Sequence, residues 1–204
     1  MAFARTIARI AALGMLAALT TACGTTPASP TATATPATET PAAAESAVHN
    51  ASDTEFAQLM IVHHEGALEM AALAIAQASS DEVRSLADRI AAAQGPEIDT
   101  MTGWLATWGE DRAMSSDMGA MDHAGMQMGG RDQADVMAQL AKLKGPDFDR
   151  SFLQAMTEHH LGAITMAEDE QAEGSNAEAI ALAGRIIDAQ TKEITEMTNL
   201  LSAM

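Results

Sequence analysis

The fold of this chain is decided by a stretch that occurs twice, as FAQLMIVHHEGALEMA at residues 56–71 and as FLQAMTEHHLGAITMA at residues 152–167. Each copy holds a His-His pair, with a Met four residues before the second His and another six residues after it. At the same offset and without a gap, the match continues through Arg89 and Arg185, Ile98 and Ile194, and Leu105 and Leu201. An ungapped match of this length predicts one helical hairpin that has been duplicated.

Helical spacing of the apolar residues supports this interpretation. One stripe is formed by Phe56, Met60, His63, Ala67, Met70 and Ala74, spaced alternately four and three residues apart. We expect a first helix over about 53–78, with Ser52 or Asp53 as its N-cap, and a second helix from about residue 80. Pro96 predicts a kink or break near Gln94–Gly95, because proline removes a helical hydrogen bond.

The second hairpin is predicted over residues 147–172 and 176–203, with Ser175 or Asn176 as the cap of its last helix. Lys192 takes the place of the proline there, so this helix should be straighter. A short connecting helix is expected from Asp132 to Lys144, closed by Gly145 and Pro146. With no strand pattern in the sequence, the fold class is all-α: a four-helix bundle of two repeated hairpins, 53–109 and 147–204.

The beginning of the chain is typical of an exported protein. Residues 1–22 contain Arg5, Arg9 and a short apolar run, as in a secretory signal peptide. Cys23, the only cysteine, then lies where a bacterial lipoprotein is cleaved and lipidated. Residues 23–50 are rich in Thr, Pro and Ala and predict a disordered tether before a bundle at 51–204. The net charge of −17 argues against a nucleic-acid partner.

Metal ligands of the soft and borderline kind repeat on the two predicted hairpins. The first offers Met60, His63, His64 and Met70, and the second offers Met156, His159, His160 and Met166. Thioether sulfur and imidazole nitrogen favour Cu(I), with Ag(I) as its analogue and Cu(II) as a further possibility. Two alternatives stay open: methionine on a helical stripe is often core packing, and four buried histidines could sense pH.

The partner helices each carry an acid among apolar residues. Glu97 is followed one turn later by Met101, and Glu193 by Met197. Each carboxylate could bind the metal, orient a histidine of the facing helix by a hydrogen bond, or extend from the edge of the core to solvent. We favour the orienting role.

A third group of candidate ligands lies in the loop at residues 111–131. It contains Met114, Met118, Met121, His123, Met126 and Met128 among glycines and small polar residues. Core packing does not account for methionines in such a segment, since its glycines discourage regular structure. Capture of Cu(I) is the favoured interpretation, and a methionine-rich surface for a partner is the alternative.

Together these motifs resemble one known family. The pattern F-x-Q-x-M-x-x-H-H-x-G-A-x-x-M-A, followed by Q-x-x-E-I-x-x-M-x-x-W-L-x-x-W-G at residues 94–109, resembles the "domain of unknown function 305" family. The second copy differs by having Leu200 and Met204 where the first has Trp104 and Trp108. The resemblance implies a ferritin-like helical bundle, exported or lipid-anchored. It also implies a link to copper, since the family includes a periplasmic copper-binding resistance protein.

The combined expectation is an exported, membrane-anchored lipoprotein that sequesters or hands over copper and is not an enzyme. Its partners would be metal ions, the membrane through Cys23, and a metal-delivery protein that the sequence does not identify. One alternative is a bundle that binds a small molecule or peptide without metal. Another is a di-metal redox enzyme, although Met60-x-x-His63 replaces the Glu-x-x-His of di-iron bundles.

Overall fold

The computed structural model describes residues 48–113 and 132–204. In these ranges it contains five helices and no strand: α1 (Ala51–Gln77), α2 (Asp81–Trp108), α3 (Gln133–Leu140), α4 (Gly145–Glu173) and α5 (Ala177–Ala203). The prediction of an all-α bundle with a short connecting helix is confirmed. The predicted signal peptide, Cys23, most of the tether and the methionine-rich loop from Met114 to Met128 lie outside the described residues.

The first helix begins earlier than predicted. Asn50 is the N-cap of α1, and its side chain accepts a hydrogen bond from the backbone N–H of Asp53, whose carboxylate accepts one from the backbone N–H of Asn50. This capping box satisfies two backbone donors that a helix start leaves open. The predicted N-caps Ser52 and Asp53 are therefore wrong, because both lie inside the first turn.

Two other helix ends also differ from the prediction. The short helix ends at Leu140 rather than Lys144, and Gly145 opens α4 with φ 61° instead of closing α3. Proline at the start of a helix is tolerated because its missing N–H would have no helical partner there, so Pro146 fits the first turn of α4. Of the kink or break expected near Pro96, the break is absent, since α2 is continuous through that residue.

Each hairpin packs internally, α1 on α2 and α4 on α5, and the two hairpins meet where α1 packs on α4. The core consists of two apolar clusters. One contains Phe148, Phe152 and the buried residues of α3, Val136 and Leu140. The other contains Phe56 and Trp104. By length and composition α1 could cross a membrane, but half of its most apolar segment is buried inside the bundle, as in the core helices of many soluble proteins.

Two buried carboxylates tie the hairpins together at opposite ends. Asp53 in α1 accepts hydrogen bonds from the backbone N–H groups of Ser175 and Asn176, in the turn of the second hairpin. Asp149 in α4 accepts the equivalent bonds from Ser79 and Ser80, in the turn of the first. Both aspartates are at most 1% exposed. Each hairpin therefore supplies a hydrogen-bond acceptor for the turn of the other.

Candidate metal centre

Four histidines form one buried layer in the middle of the bundle. His63 and His64 lie near the middle of α1, His159 and His160 near the middle of α4, and none is more than 4% exposed. The rings of His63 and His159 contact each other across the two hairpins, with 3.7 Å between centroids and 46° between planes. The structure therefore brings together the two His pairs that the sequence singled out.

The other histidine of each pair is held by a carboxylate. His64 Nε2 lies 2.9 Å from Glu97 Oε2, and His160 Nε2 lies 2.7 Å from Glu193 Oε2. With the carboxylate ionised, Nε2 carries the hydrogen and donates it, which leaves the lone pair on Nδ1. The Nδ1 atoms of His64 and His160 are buried and have no hydrogen-bond partner among the described residues. This geometry is the contact expected for a carboxylate that orients a metal-binding imidazole.

Burial keeps the imidazole of His159 suitable for metal binding. Desolvation, followed by the charges that His63, His160 and His64 would carry, holds the pKa of His159 well below its ordinary value of 6.5. A hydrogen bond to the backbone of His63 opposes this shift. His159 is therefore neutral at physiological pH, and only a neutral imidazole can donate a lone pair to a metal.

Six methionines flank the histidine layer in two sets of three. The first methionine triplet, Met60, Met101 and Met166, lies in the apolar cluster with Trp104. The second, Met70, Met156 and Met197, lies in the cluster with Phe148. Each triplet draws two methionines from one hairpin and the third from the other. All six are buried, with Met166 the most exposed at 8%.

Imidazole, thiolate and carboxylate groups alone do not make a metal site in the described residues. Within residues 48–113 and 132–204, no group of three or more His, Cys, Asp or Glu side chains is placed to hold a metal ion. A metal bound between the hairpins would have to combine imidazole nitrogen with thioether sulfur. That donor set fits soft ions such as Cu(I) and Ag(I) better than Mg²⁺, Ca²⁺ or Mn²⁺.

Three polar residues lie in surroundings that the sequence did not predict. Gln94 and Gln190, one turn before Glu97 and Glu193, are each 3% exposed, and neither side-chain oxygen has a hydrogen-bond partner in the described chain. The repeat matched them, but an amide in a helix gives no sequence signal of burial. His49, which the sequence assigned to the tether, stacks on Trp108 with 4.5 Å between ring centroids.

Glu170 is a further buried acid that the sequence did not single out. It is 1% exposed and lies beside Asp53. Burial, then the hydrogen bond to Asp53 and the charge of Asp53, raise the pKa of Glu170 to about 8. Burial alone would raise the pKa of Asp53 as well. Its net pKa is lowered, because the carboxylate accepts hydrogen bonds from four neighbours: Asn176, Asn50, Glu170 and Ser175. Glu170 thus holds a proton at neutral pH and shares it with an ionised Asp53.

A family model described as "domain of unknown function (DUF305)" matches residues 53–201. The chain belongs to this family. The match covers both hairpins and the histidine layer, as the motifs of the sequence predicted. No curated protein matches the chain.

Solved structures of DUF305 proteins resemble the bundle. A candidate secreted protein from Streptomyces coelicolor is 32% identical with a TM-score of 0.67, over 74% of this chain and 91% of that one. A DUF305 fragment from Deinococcus radiodurans is 29% identical with a TM-score of 0.64, over 76% and 98%. The Cu(I)-bound form of CopM is 30% identical with a TM-score of 0.60, over 74% and 96%. CopM has also been solved with Cu(II), with Ag and in its apo form.

Proposed function

We propose that this chain binds a soft or borderline metal ion, Cu(I) in the first place and Ag(I) or Cu(II) as alternatives, in the middle of its bundle. The observation that carries the proposal is the buried layer of four imidazoles between two methionine triplets. Two of those imidazoles are oriented by carboxylates and keep an unpartnered, buried Nδ1 atom. The metal-bound forms of CopM, a member of the same fold family, support the choice of metal.

The donor set suits holding a metal better than catalysis. Buried thioethers need no deprotonation, so the proposed site retains its sulfur ligands in mildly acidic surroundings. The described residues show two carboxylates at the layer, and both are engaged with histidine rings. We therefore propose sequestration or handover of copper as the role, and not an oxidoreductase reaction at a di-metal centre.

The place of action is part of the same proposal. Residues 1–22 are proposed to direct export, and Cys23 to carry the lipid that anchors the protein on the outer side of the membrane. The methionines of the loop, from Met114 to Met128, are proposed as a first point of capture for Cu(I). The similarity to a candidate secreted family member supports export.

The test is a Cu(I) titration of the full chain against a chromophoric chelator under anaerobic conditions. Replacing all six methionines of the two triplets by Leu keeps similar core volume and removes the sulfur ligands. We expect wild type to compete for Cu(I) and the variant to lose stoichiometry or affinity. Met137→Leu, which replaces a partly buried methionine of α3 outside both triplets, is the matched control and should bind as wild type does.

The oriented histidines are tested in the same titration. Glu97→Gln together with Glu193→Gln should weaken Cu(I) binding by about 10- to 100-fold, as loss of the partners that orient metal ligands commonly does. Asp99→Asn, on the exposed face of α2, should have no effect. If the methionine variant binds Cu(I) as tightly and in the same amount as wild type, the two triplets are not ligands and the proposed mixed site is wrong. A wild type that fails to compete for Cu(I) would overturn the whole proposal.

A further inference from the structure

The two hairpins are related by an approximate two-fold rotation. Each residue of the first hairpin corresponds to the residue 96 positions later in the second. The contacts follow this relation, since Asp53 and Asp149 each accept hydrogen bonds from the turn of the opposite hairpin. His63 likewise contacts its own equivalent, His159. The bundle therefore has two equivalent grooves between α1 and α4, one towards each end.

Helix α3 occupies one of these grooves. At the start of α3, the side-chain amide of Gln133 donates a hydrogen bond to the carbonyl oxygen of Gly66, just past the middle of α1. At its end, the side-chain amide of Gln77, the last residue of α1, donates one to the carbonyl oxygen of Leu140. Helix α3 therefore lies along the second half of α1, beside the start of α4. It belongs to neither copy of the repeat, so the sequence supplies it only once.

The side of α3 that faces the bundle is an apolar stripe. Val136 and Leu140 are each 2% exposed, and Met137 packs beside them. The floor on which the stripe packs belongs to the same apolar cluster, and we call it the α3 groove. It is defined by Met70, Leu73, Ala74, Phe148, Phe152 and Ala155. The groove shows what kind of element fits between α1 and α4, namely a short amphipathic helix, here of 8 residues.

The equivalent groove, between the start of α1 and the end of α4, is a cleft of about 260 Å³. All six residues of the α3 groove have their repeat equivalents in its lining: Ser52, Phe56, Leu59, Met166, Asp169 and Glu170. Only residues of α1 and α4 line this cleft, and no helix of the described chain lies over it. We call it the open groove.

The open groove differs from the α3 groove in charge. Glu55, Asp169 and Glu173 line it, whereas their three repeat equivalents are uncharged. Within the described parts of the chain, none of these acids forms an ion pair with a basic side chain. Glu170 is already paired with Asp53, so it is not available to a ligand. Acids alone would indicate only solubility, but these acids border a groove whose equivalent holds a helix.

We propose that the open groove binds a short amphipathic helix of a partner protein, one that carries an apolar stripe and basic side chains. Its stripe would pack on Phe56 and Leu59, as the stripe of α3 packs in the equivalent groove. Its basic side chains would lie beside the unpaired acids and select this partner by charge complementarity. The proposal does not depend on copper binding, although the helix would lie over Met166 of the first methionine triplet.

The probe is a fluorescently labelled peptide with the sequence of residues 132–144, in which Asp132→Lys and Asp135→Lys supply the basic charge. A covalent staple between the positions of Ala134 and Ala138, both exposed in α3, keeps the peptide helical. The staple is needed because free helices of this length are marginal in water. A peptide of the same composition with its apolar stripe scrambled controls for attraction by charge alone. Fluorescence anisotropy with the full chain measures binding.

Two variants of the protein separate the apolar wall from the charge. Leu59→Glu places a charge in the wall and should weaken binding by about tenfold or more. Its matched control is Leu161→Glu, at an exposed residue of α4 outside the groove, which should bind as wild type does. Glu55→Ser with Glu173→Gln copies the residues of the α3 groove. It should weaken binding by about three- to tenfold and reduce the salt dependence. Circular dichroism confirms that each variant is folded.

We expect wild type to bind the stapled peptide saturably, more tightly than the scrambled peptide, and less tightly as salt is added. Equal binding of the two peptides, or no loss of binding in Leu59→Glu, would overturn the proposal. Sedimentation of the free chain tests the other occupant of such a groove. A dimer that Leu59→Glu dissociates would show that a second copy of the chain fills the groove, and this result too would overturn the proposal.

Discussion

At the scale of single residues, the most consequential side chains are two buried aspartates whose contacts between the hairpins the sequence did not predict. Asp53 and Asp149 occupy equivalent positions in the two hairpins, and each accepts backbone hydrogen bonds from the turn of the opposite hairpin. Hydrogen bonds to an ionised carboxylate are stronger than those between neutral groups. These contacts therefore stabilise the pairing of the hairpins as well as the turns.

Replacing Asp53 or Asp149 by Ala should lower the free energy of unfolding by about 2–4 kcal/mol, because the donors of the facing turn would be left buried without an acceptor. Urea denaturation followed by circular dichroism measures this change. Asp147→Ala, an exposed acid in the first turn of α4, is the control and should change stability far less. Equal effects of Asp147→Ala and Asp149→Ala would contradict the assigned role.

At the scale of helices, Pro96 is the residue that separates the two hairpins most clearly. Helix α2 continues through it, and the equivalent residue of α5 is Lys192. A proline inside a helix lacks one hydrogen-bond donor and crowds the preceding turn. The continuity of α2 shows that packing of its buried face outweighs this local cost.

Pro96→Lys should therefore raise the free energy of unfolding, by about 1–3 kcal/mol, since it restores the missing donor at an exposed position. The same denaturation experiment measures it. Lys192→Ala in α5 changes an exposed residue with little effect on helix propensity, so it should be close to neutral. A Pro96→Lys variant that is less stable than wild type would show that the proline fits a distortion required by the fold.

The helices could be predicted because their apolar spacing is a local property of the sequence. Their ends were harder: Asn50 was assigned to the tether, yet it caps α1 and its side chain also donates to the backbone oxygen of Glu173. A hydrogen bond from a histidine of the facing helix was the favoured role for Glu97, and the structure shows that the histidine is His64. The ties made by Asp53 and Asp149 could not be predicted, because they depend on how one hairpin is placed against the other.

At the scale of the whole molecule, two buried groups set opposite limits on the pH at which the metal-free protein is stable. The pKa of His159 lies well below 6.5 in the folded chain. Below pH 6.5 the unfolded chain therefore binds one proton more than the folded chain. The pKa of Glu170 is raised from 4.5 to about 8 in the folded chain. Between these two pH values the folded chain therefore binds one proton more than the unfolded chain. Protons taken up on unfolding make stability fall with acid, and protons released make it fall with alkali.

From these two groups we expect stability to fall below pH 6.5 on account of His159, and to fall from pH 6.5 towards about 8 on account of Glu170. Between 4.5 and 6.5 the two groups act in opposite directions. Unfolding free energies measured across this range with a metal chelator present provide the check. Glu170→Gln should flatten the alkaline side and leave the acidic side, whereas an unchanged alkaline side would show that Glu170 is ionised in the folded state.

The exchange of turn acceptors has a consequence for the history of the duplication. One hairpin alone would have no carboxylate to accept the hydrogen bonds of its own turn. Its aspartate, in addition, would have no opposite turn to donate hydrogen bonds to it. Two identical halves related by a two-fold axis would satisfy both needs at once. The geometry therefore fits an ancestral hairpin that formed a symmetric dimer before two copies were fused. A single hairpin cut from the present chain would lack the hydrogen bonds between its turn and the opposite aspartate.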